Sequence, residues 1–339
     1  MSGRQFAFTV GCAVALLAAG TTEVSADGMV KALRGYWGSL QERSQEAIII
    51  GRSPARGAPL VEDLILKIAV KGKVNGFAWV VPFPNEPTVK KAEAKLFREL
   101  FDYVKSKTRP PVKKFSKKTG GFGTGGGGPA VDVLSRKVVG SYEVALVREN
   151  ANGALNQWLD ENGYQSVTNG DDVFEFYRQR NYVFCCVKVT DTELQHSESA
   201  DLHPLHFTFQ TGGVDGLYFP MLLTGLQEEP FGVNLYVLSV PRLNARHVKF
   251  GYESRGFRLR YASKNKFPLD NHRVESVLGL LRELHPRTRF YLTNIYVQRL
   301  SPASIQEWDN DLWLFPLYGS RSRRFIPYDA RRDGPAYVK

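Results

Sequence analysis

The sequence contains one closely spaced pair of histidines, His203 and His206, in the segment HPLH. Glu198 and Asp201 lie just upstream, so all four side chains are of types that can bind a metal ion. A zinc site needs three or four ligands converging at about 2 Å. A proline between two histidines at the start of a strand does not by itself produce that convergence. We expect two loop or sheet-face histidines, and a metal-handling protein using His203 and His206 is the lesser alternative.

No combination of residues in the sequence predicts nucleophilic or acid–base catalysis. There is no Gly-x-Ser-x-Gly elbow, and Cys185 falls in a predicted strand rather than at a helix start, where thiols are activated. Ser44 and Glu46 precede a buried-looking strand. Glu46 could act as an acid or base, but no second carboxylate lies at a defensible distance. We expect strand-edge hydrogen bonding from both, and we predict no catalytic, cofactor-binding or metal-binding residue.

Residues 106–129, SKTRPPVKKFSKKTGGFGTGGGGP, form a basic, glycine-rich insertion. A phosphate-binding loop needs a strand before its glycines and a helix with a Lys-Ser or Lys-Thr pair after them, so that backbone N–H groups converge on the phosphate. Only Pro129-Ala130-Val131 follows here. We interpret the segment as a flexible loop and expect no nucleotide cofactor.

Apolar runs separated by turn residues predict a strand-rich fold. Residues 47–50, 64–70 and 77–81 are predicted strands, and the turn signals between them favour a meander that seeds the first sheet. An apolar stripe at helical spacing predicts a helix over 89–105. Later helices are predicted at 151–162, 173–180 and 272–284, and later strands at 131–134, 138–146, 182–189, 206–211, 218–224, 231–240, 246–252, 257–262 and 289–300.

These elements predict an α+β fold with antiparallel-rich sheets and a few packed helices. The predicted organisation is a signal peptide (1–26), an N-terminal α+β region (27–190) that contains the insertion 106–129, a C-terminal β-rich region (191–318) and a basic tail (319–339). Only Cys185 and Cys186 follow the signal peptide, and a disulfide between neighbours is strained. Adjacent strand residues point to opposite faces, so we expect one core cysteine and one half-exposed thiol.

The N-terminus predicts export, and the charge bears on the kind of partner. Arg4, an apolar stretch over 6–20 and the small-residue site Val24-Ser25-Ala26 predict a signal peptide cleaved after Ala26, which makes the protein periplasmic or secreted. The apolar stretch is shorter than the roughly 20 residues of a membrane-spanning helix. The formal net charge is +11. Such a charge supports non-specific attraction to anionic partners and does not by itself indicate nucleic acid.

Ordered sequence blocks resemble the bacterial domain-of-unknown-function family 2330. The resemblance covers roughly residues 42–246, interrupted by the glycine-rich insertion, and it implies an exported bacterial protein with no assigned activity or catalytic residues to carry over. This chain departs from the family pattern in its adjacent cysteines, its glycine run and its basic tail. The blocks are RSQEAIII at 43–50, FAWVVPFPNEPTV at 77–89, VVGSYEVALV at 138–147, ALNQWLDENGY at 154–164, YVFCCVKV at 182–189, LHPLHFTFQT at 202–211, YFPMLLTG at 218–225 and VNLYVLS at 233–239.

We interpret the chain as an uncharacterised exported protein that is a non-enzymatic extracytoplasmic binding or envelope-associated module. The alternative is an exported hydrolase whose site is assembled from distant loops. The expected partner is an anionic envelope component or another exported protein. We expect no specific nucleic acid and no transmembrane segment after signal removal. Functional residues are expected in the loops that join the blocks rather than in the blocks themselves.

Overall fold

The computed structural model describes residues 29–32, 41–42, 44–52, 59–67, 70–71, 76–108, 133–140, 142–190, 203–212, 216–243, 255–264, 266 and 273–315. Its helices, numbered along the chain, are α1 (Lys95–Thr108), α2 (Ala154–Glu161), α3 (Asp171–Gln179), α4 (Glu275–Leu284) and α5 (Pro302–Gln306), with a 3-10 helix at Leu223–Leu226. Its strands are β1 (Met29–Ala32), β2 (Gln41–Glu42), β3 (Ser44–Arg52), β4 (Val61–Lys67), β5 (Val70–Lys71), β6 (Gly76–Phe83), β7 (Thr88–Lys91), β8 (Val133–Val139), β9 (Tyr142–Arg148), β10 (Val183–Thr190), β11 (Leu205–Gln210), β12 (Leu217–Phe219), β13 (Phe231–Val240), β14 (Arg258–Ala262), β15 (Tyr291–Leu300) and β16 (Leu312–Leu314).

Two large sheets carry most of these strands. The five-stranded sheet has the order β1-β6-β10-β9-β8, and the seven-stranded sheet has the order β14-β15-β13-β3-β4-β11-β7. All pairings in both sheets are antiparallel except that of β3 with β13. Short two-stranded pairs join β12 to β16 and β2 to β5. The fold is therefore α+β and strand-rich, as predicted.

The two sheets pack face to face through aromatic side chains. Phe207 of β11 meets Trp79 and Phe83 of β6, with ring centroids 6.3 Å and 4.8 Å apart, and Phe209 lies 5.1 Å from Phe83. All four rings belong to the larger of the two apolar cores. Because β-branched and aromatic side chains fit pleated surfaces, the same runs that form the strands also fill the space between the sheets.

Helices cover the outer faces of both sheets. The apolar side chains of α1 and α4 form the second core with the residues of β3 that point away from the other sheet, Ile48 and Ile50. On the opposite side, Phe174 and Tyr177 of α3 contact Phe184 of β10 at 6.2 Å and 5.6 Å. The protein is therefore a four-layer α/β/β/α sandwich, and the central strands of its sheets, such as β3, β4, β6 and β10, are buried on both faces.

The predicted three-stranded meander at the start of the chain is wrong. β3 and β4 do pair, but β6 belongs to the five-stranded sheet, between β1 and β10. Strands that are buried on both faces have near-continuous apolar sequences, and these do not specify which edges pair. Residues 88–91 form β7 instead of the first turn of the predicted helix, and α1 begins at Lys95.

Two further expectations need correction. The chain turns at Gly140, whose φ of 59° lies in the left-handed region that glycine adopts readily. Strand β8 therefore runs to Val139 and β9 begins at Tyr142, whereas the predicted strands 131–134 and 138–146 placed the break around Arg136 and Lys137. Neither Cys185 nor Cys186 is half-exposed: both are buried and unbridged, because the sheet has a layer on each face. Burial raises the pKa of the Cys186 thiol strongly, in spite of the nearby charge of Lys188.

The three later helices and most of the later strands occur where the sequence predicts them, within a few residues at each end. The predicted signal peptide, most of the insertion, the strand at 246–252 and the basic tail lie outside the described residues. The division into an N-terminal and a C-terminal region stays a prediction, and the seven-stranded sheet draws strands from both of these stretches. None of the helices in the described part of the chain combines the length and apolarity needed to cross a membrane.

Candidate ligand-binding cleft

A cleft lies between the C-terminal half of α1 and the helix-covered face of the seven-stranded sheet. Its cavity volume is about 380 Å³. Four of its lining residues come from α1 and one each from β13 and β14: Phe101, Val104, Lys105, Thr108, Tyr236 and Arg260.

The sequence of α1 explains why the cleft opens under this half of the helix. One face carries the buried side chains Leu96, Phe97, Leu100, Tyr103 and Val104. Phe101 lies off this stripe, and its residue surface is 47% exposed. Lys105 and Lys107 occupy the last turn, where positive charge is favourable against the helix dipole. Pro110 follows in the sequence and disfavours helix at the residue before it.

A row of polar side chains crosses the sheet next to Tyr236, one of the residues that line the cleft. Lys67, Glu46 and Asn234 occupy neighbouring positions on β4, β3 and β13. Lys67 Nζ lies 3.3 Å from Glu46 Oε2, and the Asn234 amide donates to Glu46 Oε1 at 3.2 Å. Both oxygens of this carboxylate therefore have partners.

The orientation of the Asn234 amide follows from its neighbours. Glu46 is an acceptor, so the Asn234 Nδ2 group must face it, and the same Nδ2 donates to the hydroxyl oxygen of Tyr236 at 3.0 Å. On the other side, Asn294 Nδ2 donates to Asn234 Oδ1 at 2.8 Å and to the Leu235 carbonyl at 3.0 Å. A reversed Asn234 amide would lose the bonds to both Glu46 and Asn294.

The Tyr236 hydroxyl is consequently an oriented donor. Its oxygen accepts from Asn234, and its proton bonds to no protein acceptor among the described residues. Burial, followed by the negative charge of Glu46, raises the pKa of Tyr236 well above the ordinary value for tyrosine. The phenol stays neutral at physiological pH, and its hydroxyl hydrogen is available to a ligand in the cleft that it lines.

Two cations complete the lining. The Arg260 guanidinium lies 3.9 Å from the centre of the Tyr296 ring, and Lys105 Nζ lies 5.4 Å from the centre of the Phe101 ring. Within the described part of the chain, neither forms an ion pair with a carboxylate. The cleft thus combines an apolar wall with three hydrogen-bond donors, two of which are charged.

The structure separates the two histidines that the sequence places close together. His203 packs against the Tyr142 ring of the five-stranded sheet at 4.5 Å, and its carbonyl accepts from the Tyr142 hydroxyl at 2.7 Å. Burial lowers the pKa of His203. His206 lies on the helix-covered face of the seven-stranded sheet, where its Nε2 atom is 2.8 Å from Asp63 Oδ1.

His206 lies in a cluster of polar side chains around Asp63. Thr208 Oγ1 donates to the same Asp63 oxygen at 2.6 Å, and His285 Nε2 lies 3.6 Å from Asp63 Oδ2. A catalytic triad needs its acid and its nucleophile on opposite ring nitrogens of the histidine. Here Asp63 and Thr208 both approach His206 Nε2, so this cluster does not have triad geometry. No group of three or more metal-ligating side chains with metal-site geometry occurs in the described ranges.

Of the residues that sequence reasoning considered, the structure places Glu46 beside the cleft and His203, His206 and the cysteines away from it. Tyr236, Asn234 and Arg260 were missed. One signal was available: Asn234 and Asn294 interrupt apolar strands in which asparagine is disfavoured. Their pairing partners lie far away in sequence. The cleft is formed by a helix and strands, whereas functional residues were expected in loops.

The fold and this site define a four-layer α+β protein with a donor-lined cleft between a helix and a sheet. The chain belongs to the domain-of-unknown-function family 2330, described as an uncharacterised protein conserved in bacteria, whose sequence model matches residues 58–312. This confirms the resemblance seen in the sequence. The match begins later than residue 42 and extends beyond residue 246 through β14, α4 and β15.

Other comparisons add little. No curated protein matches the chain. Among solved structures, the chain is similar to the crystal structure of baculovirus P35, with 11% sequence identity, a TM-score of 0.39 and coverage of 81% of this chain and 97% of that chain. A similarity at this level carries no argument about fold or function.

Proposed function

We propose that this protein is an exported, non-enzymatic binding module that takes an anionic ligand into the cleft beneath α1. The observation that carries the proposal is the set of donors on the lining: the oriented Tyr236 hydroxyl and the side chains of Arg260 and Lys105. Charged donors that have no acidic protein partner, next to an apolar wall, suit a ligand that supplies the acceptor.

Binding accounts for the cleft better than catalysis does. The Glu46 carboxylate is held by Lys67 and Asn234 and is not among the residues that line the cleft, so the lining itself presents no carboxylate as a base. Tyr236 is kept neutral, which suits a donor and not a base. The Thr108 hydroxyl donates to the Val104 carbonyl at 2.9 Å, as helical threonines commonly do.

The cellular setting is part of the same proposal. The N-terminal signal-like sequence supports export, and the net charge of +11 supports attraction to an anionic envelope component. The exported hydrolase remains the alternative function, and the experiment below includes a measurement that separates the two.

Calorimetric titration of the folded protein tests the proposal. The probes are acetate, benzoate, octanoate and inorganic phosphate, with benzyl alcohol and octanol as uncharged controls. We expect at least one anion to bind at one site per chain and to bind more weakly as salt is added. Lys105→Ala/Arg260→Ala should weaken binding by about tenfold or more, because two charge-assisted contacts are lost. Lys90→Ala/Arg98→Ala removes the same charge from exposed positions outside the lining and should change affinity by less than about twofold.

Three results would overturn the proposal. The first is the absence of binding by every anion in the panel. The second is an equal loss of affinity in the two double variants, which would show that net charge and not the cleft attracts the anion. The third is turnover of an ester panel that disappears in Glu46→Gln, since this would place acid–base chemistry at the cleft and favour the hydrolase.

A further inference from the structure

The apolar wall of the cleft indicates what kind of anion it takes. Phe101 belongs to a small group of large hydrophobic residues that are exposed in the described part of the chain, and Val104 continues the wall on the next turn of α1. Phe101 is not needed for the core, because it lies off the buried stripe of the helix. A single exposed apolar residue is ordinary, but this one lines a cavity that also has Lys105 on the same helix and Arg260 on the sheet side.

The charges around the cleft favour a monoanion. Lys67 neutralises Glu46 in the polar row, so this pair contributes little net charge. Asp102 lies close enough to raise the pKa of Tyr236, although it acts after burial and Glu46, and it offsets part of the positive charge of Lys105 and Arg260. The surplus is small, so a dianionic head would carry more negative charge than the nearby cations leave unbalanced.

The cleft volume limits the size of the ligand. A cavity of about 380 Å³ lies near the lower end of the range of ligand pockets, roughly 300–1,000 Å³. That space suits a compact organic molecule, and a polymer could place only one end in it.

We infer that the ligand is a monovalent carboxylic acid with an apolar tail, whose carboxylate lies between Tyr236, Arg260 and Lys105 and whose tail packs against Phe101 and Val104. This inference rests on the proposed function and names its ligand class. The two cations attract the head, the phenol orients it by a neutral hydrogen bond, and the wall removes the tail from water.

A homologous series of straight-chain acids from acetate to decanoate tests the inference by calorimetry. Affinity should rise by about fourfold for each added methylene until the tail fills the wall. Phe101→Ser should flatten this dependence, so that octanoate loses much more affinity than acetate does. Tyr236→Phe should weaken every acid by a similar factor, about tenfold or more, because it removes one hydrogen bond to a charged group. Leu259→Ser changes an exposed apolar residue outside the lining and serves as the control for Phe101→Ser.

The outcomes separate this inference from the proposed function. If acetate or inorganic phosphate binds as tightly as octanoate, and Lys105→Ala/Arg260→Ala abolishes that binding, then the anion site stands and the amphiphilic ligand is wrong. Vesicles of phosphatidylcholine with phosphatidylglycerol test the other source of an anionic amphiphile. If they sediment the wild-type protein but not Lys105→Ala/Arg260→Ala, and free acids do not compete, a lipid headgroup in a bilayer replaces the free acid.

Discussion

The buried carboxylate of Asp311 links its own segment to helix α3 and to the segment 218–222. Its Oδ1 atom accepts from the Tyr177 hydroxyl of α3 at 3.0 Å and from the backbone N–H groups of Met221 and Leu222 at 2.7 Å and 2.8 Å. Its Oδ2 atom accepts from the Tyr218 hydroxyl at 2.9 Å. We therefore predict that Asp311→Ala is among the most destabilising single substitutions in this fold.

The expected magnitude follows from the donors that lose their acceptor. Tyr218 keeps a second acceptor, the Pro82 carbonyl at 3.1 Å, and is not orphaned. The Tyr177 hydroxyl and two backbone amides remain, and each unsatisfied buried donor costs about 1–3 kcal/mol. Removing a buried carboxylate relieves some desolvation, so we expect a loss of about 4 kcal/mol in the free energy of unfolding, a large part of the roughly 5–15 kcal/mol typical of proteins.

Asp311→Asn separates the hydrogen bonds from the charge. The amide oxygen can keep the three donors of Oδ1, and the NH₂ group can donate to Tyr218 while that hydroxyl bonds to Pro82. We expect a loss of only about 1 kcal/mol. Burial raises the pKa of Asp311, against the lowering effect of its hydrogen bonds. The folded state thus holds this proton longer than the unfolded state, so its contribution favours folding at low pH and declines as the pH rises through the folded-state pKa. The asparagine variant lacks this decline.

Urea denaturation followed by tryptophan fluorescence measures both variants across pH, with the denaturant slope checked for constancy. Glu307→Ala, an exposed change four residues away, should stay within about 0.5 kcal/mol of the wild type. If Asp311→Ala and Asp311→Asn were equally stable, the buried hydrogen bonds would not be what Asp311 contributes, and the reasoning would be refuted.

Three further predictions concern stability. Burial raises the pKa of Glu62 well above its usual range, so the unfolding free energy of the wild type should decline as the pH rises. Glu62→Gln should remove this decline, and urea midpoints measured over a pH series would show the difference. Gly51→Ala should cost about 1–3 kcal/mol, because a Cβ there would collide with the buried side chain of Leu217; an unchanged thermal midpoint would contradict this. Burial alone would raise the pKa of Asp63, but the hydrogen bonds with His206 and Thr208 and the proximity of His285 lower it. Asp63→Asn should therefore cost about 3 kcal/mol near neutral pH, and this cost should shrink as the wild type is acidified.

Local patterns in the sequence predict the elements of this fold better than their arrangement. Helix α2 ends near Asn162 and Gly163, because glycine accepts the left-handed conformation there, with φ of 81°. The placement of β6 in the other sheet could not be predicted, because an apolar run buried on both faces fits either sheet. The prediction that one of Cys185 and Cys186 is half-exposed was wrong for the same reason. Alternation along a strand indicates that side chains point to two faces of the sheet, and it does not show that both faces are covered by other layers.

The candidate site was beyond the reach of spacing arguments. Glu46 was recognisable as a polar residue beside a buried strand, but its partner Asn234 lies 188 positions away and reaches it through the parallel pairing of β3 with β13. Arg260 reaches the cleft from an edge strand with an irregular register. The hydrogen bond from Asn234, which leaves the Tyr236 hydrogen available to the cleft, follows from the three-dimensional arrangement and not from any spacing in the sequence.

The helix-covered face of the seven-stranded sheet holds two polar groups, and the contrast between them argues for the cleft as the functional site. Around Asp63, the carboxylate has protein partners at both oxygens, with His206 and Thr208 at Oδ1 and His285 near Oδ2, so its own contacts explain that cluster. In the row from Glu46 to Tyr236, the Asn234 amide bonds to both neighbours, and the Tyr236 hydroxyl that accepts from it lines a cavity beside cations that have no acidic partner among the described residues. That hydroxyl hydrogen bonds to no protein acceptor in the described part of the chain and is available to a ligand in the cleft, which makes the cleft the better candidate for a functional site.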